Sequence, residues 1–187
     1  FVNTTRPLHL VRFHNGSNSS QNLIDNVESP IIFLNHCKFP KYVIGRFHSS
    51  DSERWNNFQR INKHFPLLKR DRNKSFYKSL KEIRMVVSDH LGTTFYESLQ
   101  ANVPIIIFIN PQTYTFRDQA ENLIEKLIKN KIIFFDPKEA SLHVNDVYQD
   151  INTWWSSSKI QSLREEVLRK HCYTSNNWIN DWYKKLL

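Results

Sequence analysis

The run Val103-Pro104-Ile105-Ile106-Ile107-Phe108-Ile109 is apolar at every position, and it constrains the fold more than any other feature. A strand with one face in water alternates polar and apolar residues, so a strand of this kind is buried on both faces. Met85-Val86-Val87-Ser88 and Ile132 to Phe135 read the same way. Helical stretches, Thr93 to Asn102 and Arg117 to Lys129, lie between them. Short apolar strands alternating with helices specify a parallel sheet covered on both sides. The expected fold is α/β, a Rossmann-like parallel sheet flanked by helices.

The flanking regions are less regular. The first 30 residues are polar, with a turn cluster at His14-Asn15-Gly16-Ser17-Asn18. Ile31-Ile32-Phe33-Leu34 and Tyr42-Val43-Ile44-Gly45-Arg46 are short apolar runs, the second read as a strand ending at Arg46. Asp51 or Ser52 is placed to cap a helix in which Trp55, Phe58 and Ile61 share a face. Ser75 to Glu82 reads as another helix, and Asp136-Pro137 reads as a stop. Helices then dominate: Asn145 to Trp155, Lys159 to Lys170 and Trp178 to Leu187. The expected division is a Rossmann-like unit at 1–140 and a C-terminal helical segment at 141–187 packed on it.

A chain of 187 residues holds one well-cored domain with room for a helical appendage. Its formal charge of +8 suits acidic partners: phosphate-bearing ligands, anionic lipid or nucleic acid. The two cysteines, Cys37 and Cys172, have neither metal-ligand spacing nor disulfide-scaffold density, and read as free thiols of a reducing compartment. No segment reaches the roughly 20 apolar residues that span a bilayer. A cytoplasmic location follows, with the inner face of the membrane as an option. The chain opens at Phe1, which suggests a fragment lacking an N-terminal partner domain. With only three glycines, each is expected where the backbone needs one.

Ligands of open α/β sheets bind at the carboxyl ends of the strands, where loops meet helix N-termini. The turn Ser88-Asp89-His90-Leu91-Gly92 is such a place. A helix starting near Thr93 offers unpaired N–H groups and a positive dipole end to a phosphate. Gly92 would let an anion approach, and the Thr93 and Thr94 hydroxyls would add donors; both threonines also suit plain helix caps. Helical spacing puts Thr93, Thr94 and Glu97 on one face, with Glu97 about one turn, or roughly 5 Å, further in. A carboxylate there can accept from two ribose hydroxyls. Arg46 at the same sheet edge can clamp a phosphate or form a salt bridge, and Arg12 is a weaker candidate of that kind. His48 and His90 border the expected cleft and are not assigned a catalytic role.

The stretch from Val86 to Pro104, with Gly92-Thr93-Thr94, Glu97 and Ala101-Asn102-Val103-Pro104, resembles the donor-binding motif of GT-B glycosyltransferases. It is most similar to transferases encoded with bacterial surface-polysaccharide genes, from about Arg12 past Trp154-Trp155. The resemblance implies that Glu97 holds ribose, that Gly92, Thr93 and Thr94 hold phosphate, and that Ser88 and Asp89 belong to the same turn. It implies, more loosely, that Arg117, Gln119 and Asn122 meet the donor sugar; the alternative is the exposed first turn of a helix. Trp154 and Trp155 read as packing residues.

The implied function is glycosyl transfer from a nucleotide-sugar to a glycan or lipid-linked acceptor in cell-surface polysaccharide or O-antigen synthesis, with the general base outside this chain. No cofactor and no metal are expected, because no Cys/His cluster has zinc spacing and no Asp-x-Asp pair is present. Peripheral contact with an anionic membrane fits the charge. A nucleotide-sugar epimerase or polyol-phosphate transferase keeps the fold and changes the reaction. A non-catalytic basic module for nucleic acid or membrane is the alternative of another class; dispersed basic residues and the lack of a nucleic-acid signature argue against a nucleic-acid partner.

Overall fold

The computed structural model describes residues 1–3, 20–112, 114, 116–172, 175 and 177–186. The early turn cluster, Gly16 and Arg12 lie outside the described residues. Strands β1 (Ile44–Gly45) and β2 (Lys69–Arg70) pair in parallel, as do β3 (Val86–Ser88), β4 (Ile105–Phe108) and β5 (Ile133–Phe134) in the order β3-β4-β5. Val2 forms parallel bridges to both Arg46 and Ser88, and so joins the two halves. The resulting order is β2-β1-Val2-β3-β4-β5. Counting Val2 as the first strand, this is the 3-2-1-4-5-6 order of dinucleotide-binding sheets.

Helices cover both faces, as the uniformly apolar strands require. On one face Val86, Ile105, Ile107 and Ile133 pack with α4 (Thr93–Gln100), α5 (Asp118–Lys129) and α8 (Ser158–His171), through Phe95, Leu99, Leu127 and Val167. On the other, Val87, Ile106, Phe108 and Phe134 pack with α1 (Ser20–His36), α2 (Asn57–His64) and α6 (Pro137–Val147), through Phe33, Ile61 and Val144. Consecutive β4 residues alternate between these clusters, and none is more than 2% exposed. The short α3 (Phe76–Leu80) leads into β3, while α7 (Ile151–Trp155) and α9 (Trp178–Leu186) complete the described elements. Among the described residues, no helix is long and apolar enough to cross a membrane.

The structure refines the local reading in three places. Ile31 to Leu34, an apolar run whose sequence does not fix its type, lies inside α1, which carries Pro30; a short apolar run fits a strand or a buried helix equally well by periodicity. Asp136-Pro137 follows the end of β5, as expected, and also starts a helix. The Asp136 carboxylate accepts from Lys138 N at 2.7 Å, and Pro137 fills the first turn, where its missing N–H costs nothing. The helix expected from Asn145 to Trp155 is two: α6 ends at Val147, and Asp150 caps α7 by accepting from Thr153 N and Oγ1. Asp51 does cap α2, accepting from Asn57 N and Phe58 N at 3.1 and 3.0 Å, though Trp55 precedes the helix.

Trp155 is a packing residue, 3% exposed, and its indole N–H donates to Asn102 Oδ1 at 2.9 Å. Trp155→Phe keeps an aromatic ring, gives up the pyrrole part of the indole and leaves that acceptor one donor short. We expect a loss of about 1–2 kcal/mol in urea unfolding, with little change in m-value.

Candidate functional site

Strand order reverses between Val2 and β3, and open α/β sheets bind ligands at such a point, outside the carboxyl ends of the strands. The Ser88 to Gly92 turn follows one of these strands and Asn3 the other. They are tied together: Asn3 Nδ2 donates to Asp89 Oδ2 at 2.6 Å and to the Asn26 carbonyl at 3.0 Å. Asn57 Nδ2 donates to Asn3 Oδ1 at 2.9 Å, and Asp51 accepts from the Asn57 backbone. Asn3, Asp51, Asn57 and Ser88 are all under 5% exposed. Polar groups stripped of water are stable only when hydrogen-bonded, so this network fixes the Asp89 carboxylate. The sequence gives no sign of it, since its members lie far apart in the chain.

Gly92, the residue before α4, has φ −139° and ψ −159°, extended backbone open to any residue. Left-handed backbone falls instead at Asn56, Asn102 and Lys131, and at neither Gly45 nor Gly92. What Gly92 supplies is space. A Cβ there would lie 2.8 Å from His90 Cδ2 and 3.1 Å from Nε2. The missing side chain thus makes room for the His90 imidazole at the start of α4.

Thr93 and Glu97 lie exposed on the outer face of α4, one turn apart. Thr94 does not share that face; it is buried, and its carbonyl accepts from Ser98 Oγ at 2.7 Å. The physical reason is the 100° step per residue, which places Thr94 with Phe95, Ser98 and Leu99 on the inward side. The far end of α4 is pinned. Arg164 Nε donates to the Leu99 carbonyl at 2.6 Å, while Asn102 takes donors from Trp155 and Gln161. Burial pushes the Arg164 guanidinium down from its ordinary value.

Arg46 reaches the same sheet edge, as expected, but is engaged in the salt-bridge alternative. Its Nη1 donates to Asp71 Oδ2 at 2.7 Å, to the Asn73 carbonyl at 3.1 Å and to Ser79 Oγ at 3.3 Å, with the guanidinium over the Phe76 ring. Burial opposes ionisation of Asp71. Hydrogen bonds from Ser79, Asn73 and Arg46, with the Arg46 charge, outweigh it and hold the carboxyl below its ordinary value. Arg117, Gln119 and Asn122 are exposed at the start of α5. The loop that leads there is linked to the turn, because Leu91 N donates to Tyr114 Oη at 3.3 Å. His48 Nδ1 meets Ser50. A cavity of about 300 Å³ adjoins the Arg46 cluster: Arg46, Asp71, Asn73 and Ser79 line it together with Val2 and Tyr148, and no residue from Ser88 to Glu97 does.

Two expectations follow. In Gly92→Ala the His90 ring must swing away from Asp89, which costs about 1 kcal/mol, one hydrogen bond's worth; imidazole 15N spectra compared with the wild type would show the displaced ring. The stabilisation from Asp71 is complete above its ordinary value of 3.8 and is lost as pH falls through the lower folded-state value. Asp71→Asn should therefore flatten the fall of stability with acid below about pH 4, measured by urea unfolding across that range.

A family model described as LIC12162 family transferase matches residues 1–186. No curated protein and no solved structure gives a significant match.

Proposed function

Because the chain belongs to the LIC12162 family of transferases, we propose that it binds a nucleotide-sugar as glycosyl donor. The observation that carries this reading is the position of the Ser88–Glu97 strand-turn-helix at the reversal of strand order, where open α/β sheets take nucleotides. The diphosphate sits against the first turn of α4, on the N–H groups of Thr93 and Thr94 and on the Thr93 hydroxyl. Thr94, with its side chain turned inward, contributes backbone only. Glu97, one turn further along the exposed face, accepts from the ribose hydroxyls. Arg117, Gln119 and Asn122 at the opening of α5 face the sugar. Ser88 and Asp89 shape the turn, and Arg46 supports the edge through Asp71.

The GT-B resemblance supports a glycosyl reaction, with the acceptor side supplied by a partner domain. The likeness to transferases of surface-polysaccharide genes supports a glycan or lipid-linked acceptor. Preorganised N–H donors aimed at the leaving phosphate stabilise the charge that develops there.

Calorimetry with UDP-, GDP-, CMP- and TDP-sugars tests the reading. One of them should bind, and Glu97→Ala should weaken it by about 10- to 100-fold, the worth of hydrogen bonds to a charged acceptor. Absence of binding, or binding indifferent to Glu97→Ala, sinks it.

A further inference from the structure

His90 sits in a hydrogen-bonding arrangement that determines which of its ring nitrogens carries a proton. Its Nδ1 lies 3.0 Å from Asp89 Oδ1 and 3.1 Å from Ser88 Oγ. Ser88 Oγ is fully buried and donates its hydrogen to the His90 carbonyl at 3.1 Å. A hydroxyl has one hydrogen, so toward the ring Ser88 Oγ is an acceptor. The Asp89 carboxylate, 4% exposed and receiving Asn3 Nδ2, is an acceptor as well. Both neighbours of Nδ1 therefore demand a hydrogen there, which assigns the proton of the neutral ring to Nδ1.

The other nitrogen is left for chemistry. Nε2 makes no hydrogen bond among the described residues, and its ring is 24% exposed. It lies over Gly92, whose hypothetical Cβ would come within 3.1 Å of it. Nε2 is thus the ring nitrogen that a bound ligand can reach. The pattern is that of a carboxylate-oriented imidazole with its working nitrogen turned outward.

Resting on the nucleotide-sugar reading, we propose that His90 is the catalytic acid that protonates the leaving phosphate, with Asp89 and Ser88 as its positioning residues. In the step, the bond from the sugar anomeric carbon to the phosphate oxygen breaks and its electron pair stays on that oxygen. The oxygen takes the Nε2 proton. The acceptor hydroxyl oxygen forms the new bond to the anomeric carbon and releases its proton to solvent, from which neutral His90 is recharged. Gly92 and the Asn3–Asp89 contact then have one shared purpose, to hold Nε2 where the phosphate arrives.

Two measurements on the full-length enzyme decide the matter, using whichever of the UDP-, GDP-, CMP- and TDP-sugars binds. First, single-turnover release of nucleotide by His90→Gln should slow about 100-fold or more, the usual worth of a proton donor. Affinity for the intact donor should stay within about threefold, since Glu97 and the α4 N–H groups remain. An unchanged release rate overturns the role of His90 while leaving donor binding intact. Second, in wild-type protein, whose fold is not at issue, 15N spectra should show Nδ1 protonated without ligand. They should show Nε2 gaining a proton when the matching free nucleoside diphosphate saturates the site. A bare Nδ1, or an Nε2 unmoved at saturation, also overturns the proposal. If no nucleotide-sugar binds at all, the underlying functional reading fails, and the role of His90 falls with it.

Discussion

Four backbone hydrogen bonds made by Phe1, Val2 and Asn3 hold the two halves of the sheet in one plane. Val2 N donates to Val87 O and Asp89 N to Val2 O on one side; Arg46 N donates to Phe1 O and Asn3 N to Arg46 O on the other. Each of β1 and β2 is two residues long. A two-stranded pair of that length is not stable alone. Joined through Val2 it becomes the flank of a sheet whose opposite flank is fully buried. The reversal of strand order is a consequence of the same join.

The switch point in strand order is framed by elements that packing fixes in place. α4 is pinned at its C-terminal end by Arg164 and by the Asn102 cluster, so the orientation of its free N-terminus is set by packing rather than by any ligand. In the proposed nucleotide-sugar reading, preorganisation of this kind would spare the phosphate the cost of ordering its own site. On the outer face Thr93 and Glu97 project, one turn apart. Thr94, Phe95, Ser98 and Leu99 anchor the helix to the sheet.

The buried polar residues follow the same logic. Asn3, Asp51 and Asn57 lie in the interior, where an unmatched polar group is destabilising. Linked together they close most of that deficit, and the chain of bonds ends on the Asp89 carboxylate. Asp89 in turn sets the His90 ring. A structural network thereby delivers one oriented imidazole to the edge of the site.

The amino-acid sequence by itself determined the layered α/β fold, because residues such as Ile105 to Phe108 leave no face for water. It also marked the Ser88 to Glu97 segment, since strand, turn and helix start are local patterns. Local pattern said less where two structures share one signal: Ile31 to Leu34 suits a strand or a buried helix, and Asp136-Pro137 can end a strand and also start a helix. Tertiary structure alone decided the rest. The strand order depends on which edges Val2 joins. The inward turn of Thr94 depends on where the sheet lies, and the engagement of Arg46 depends on Asp71, 25 residues away. Gly92 changed meaning for the same reason. Its extended backbone needs no glycine, and only the packing of the His90 ring against it explains the missing side chain.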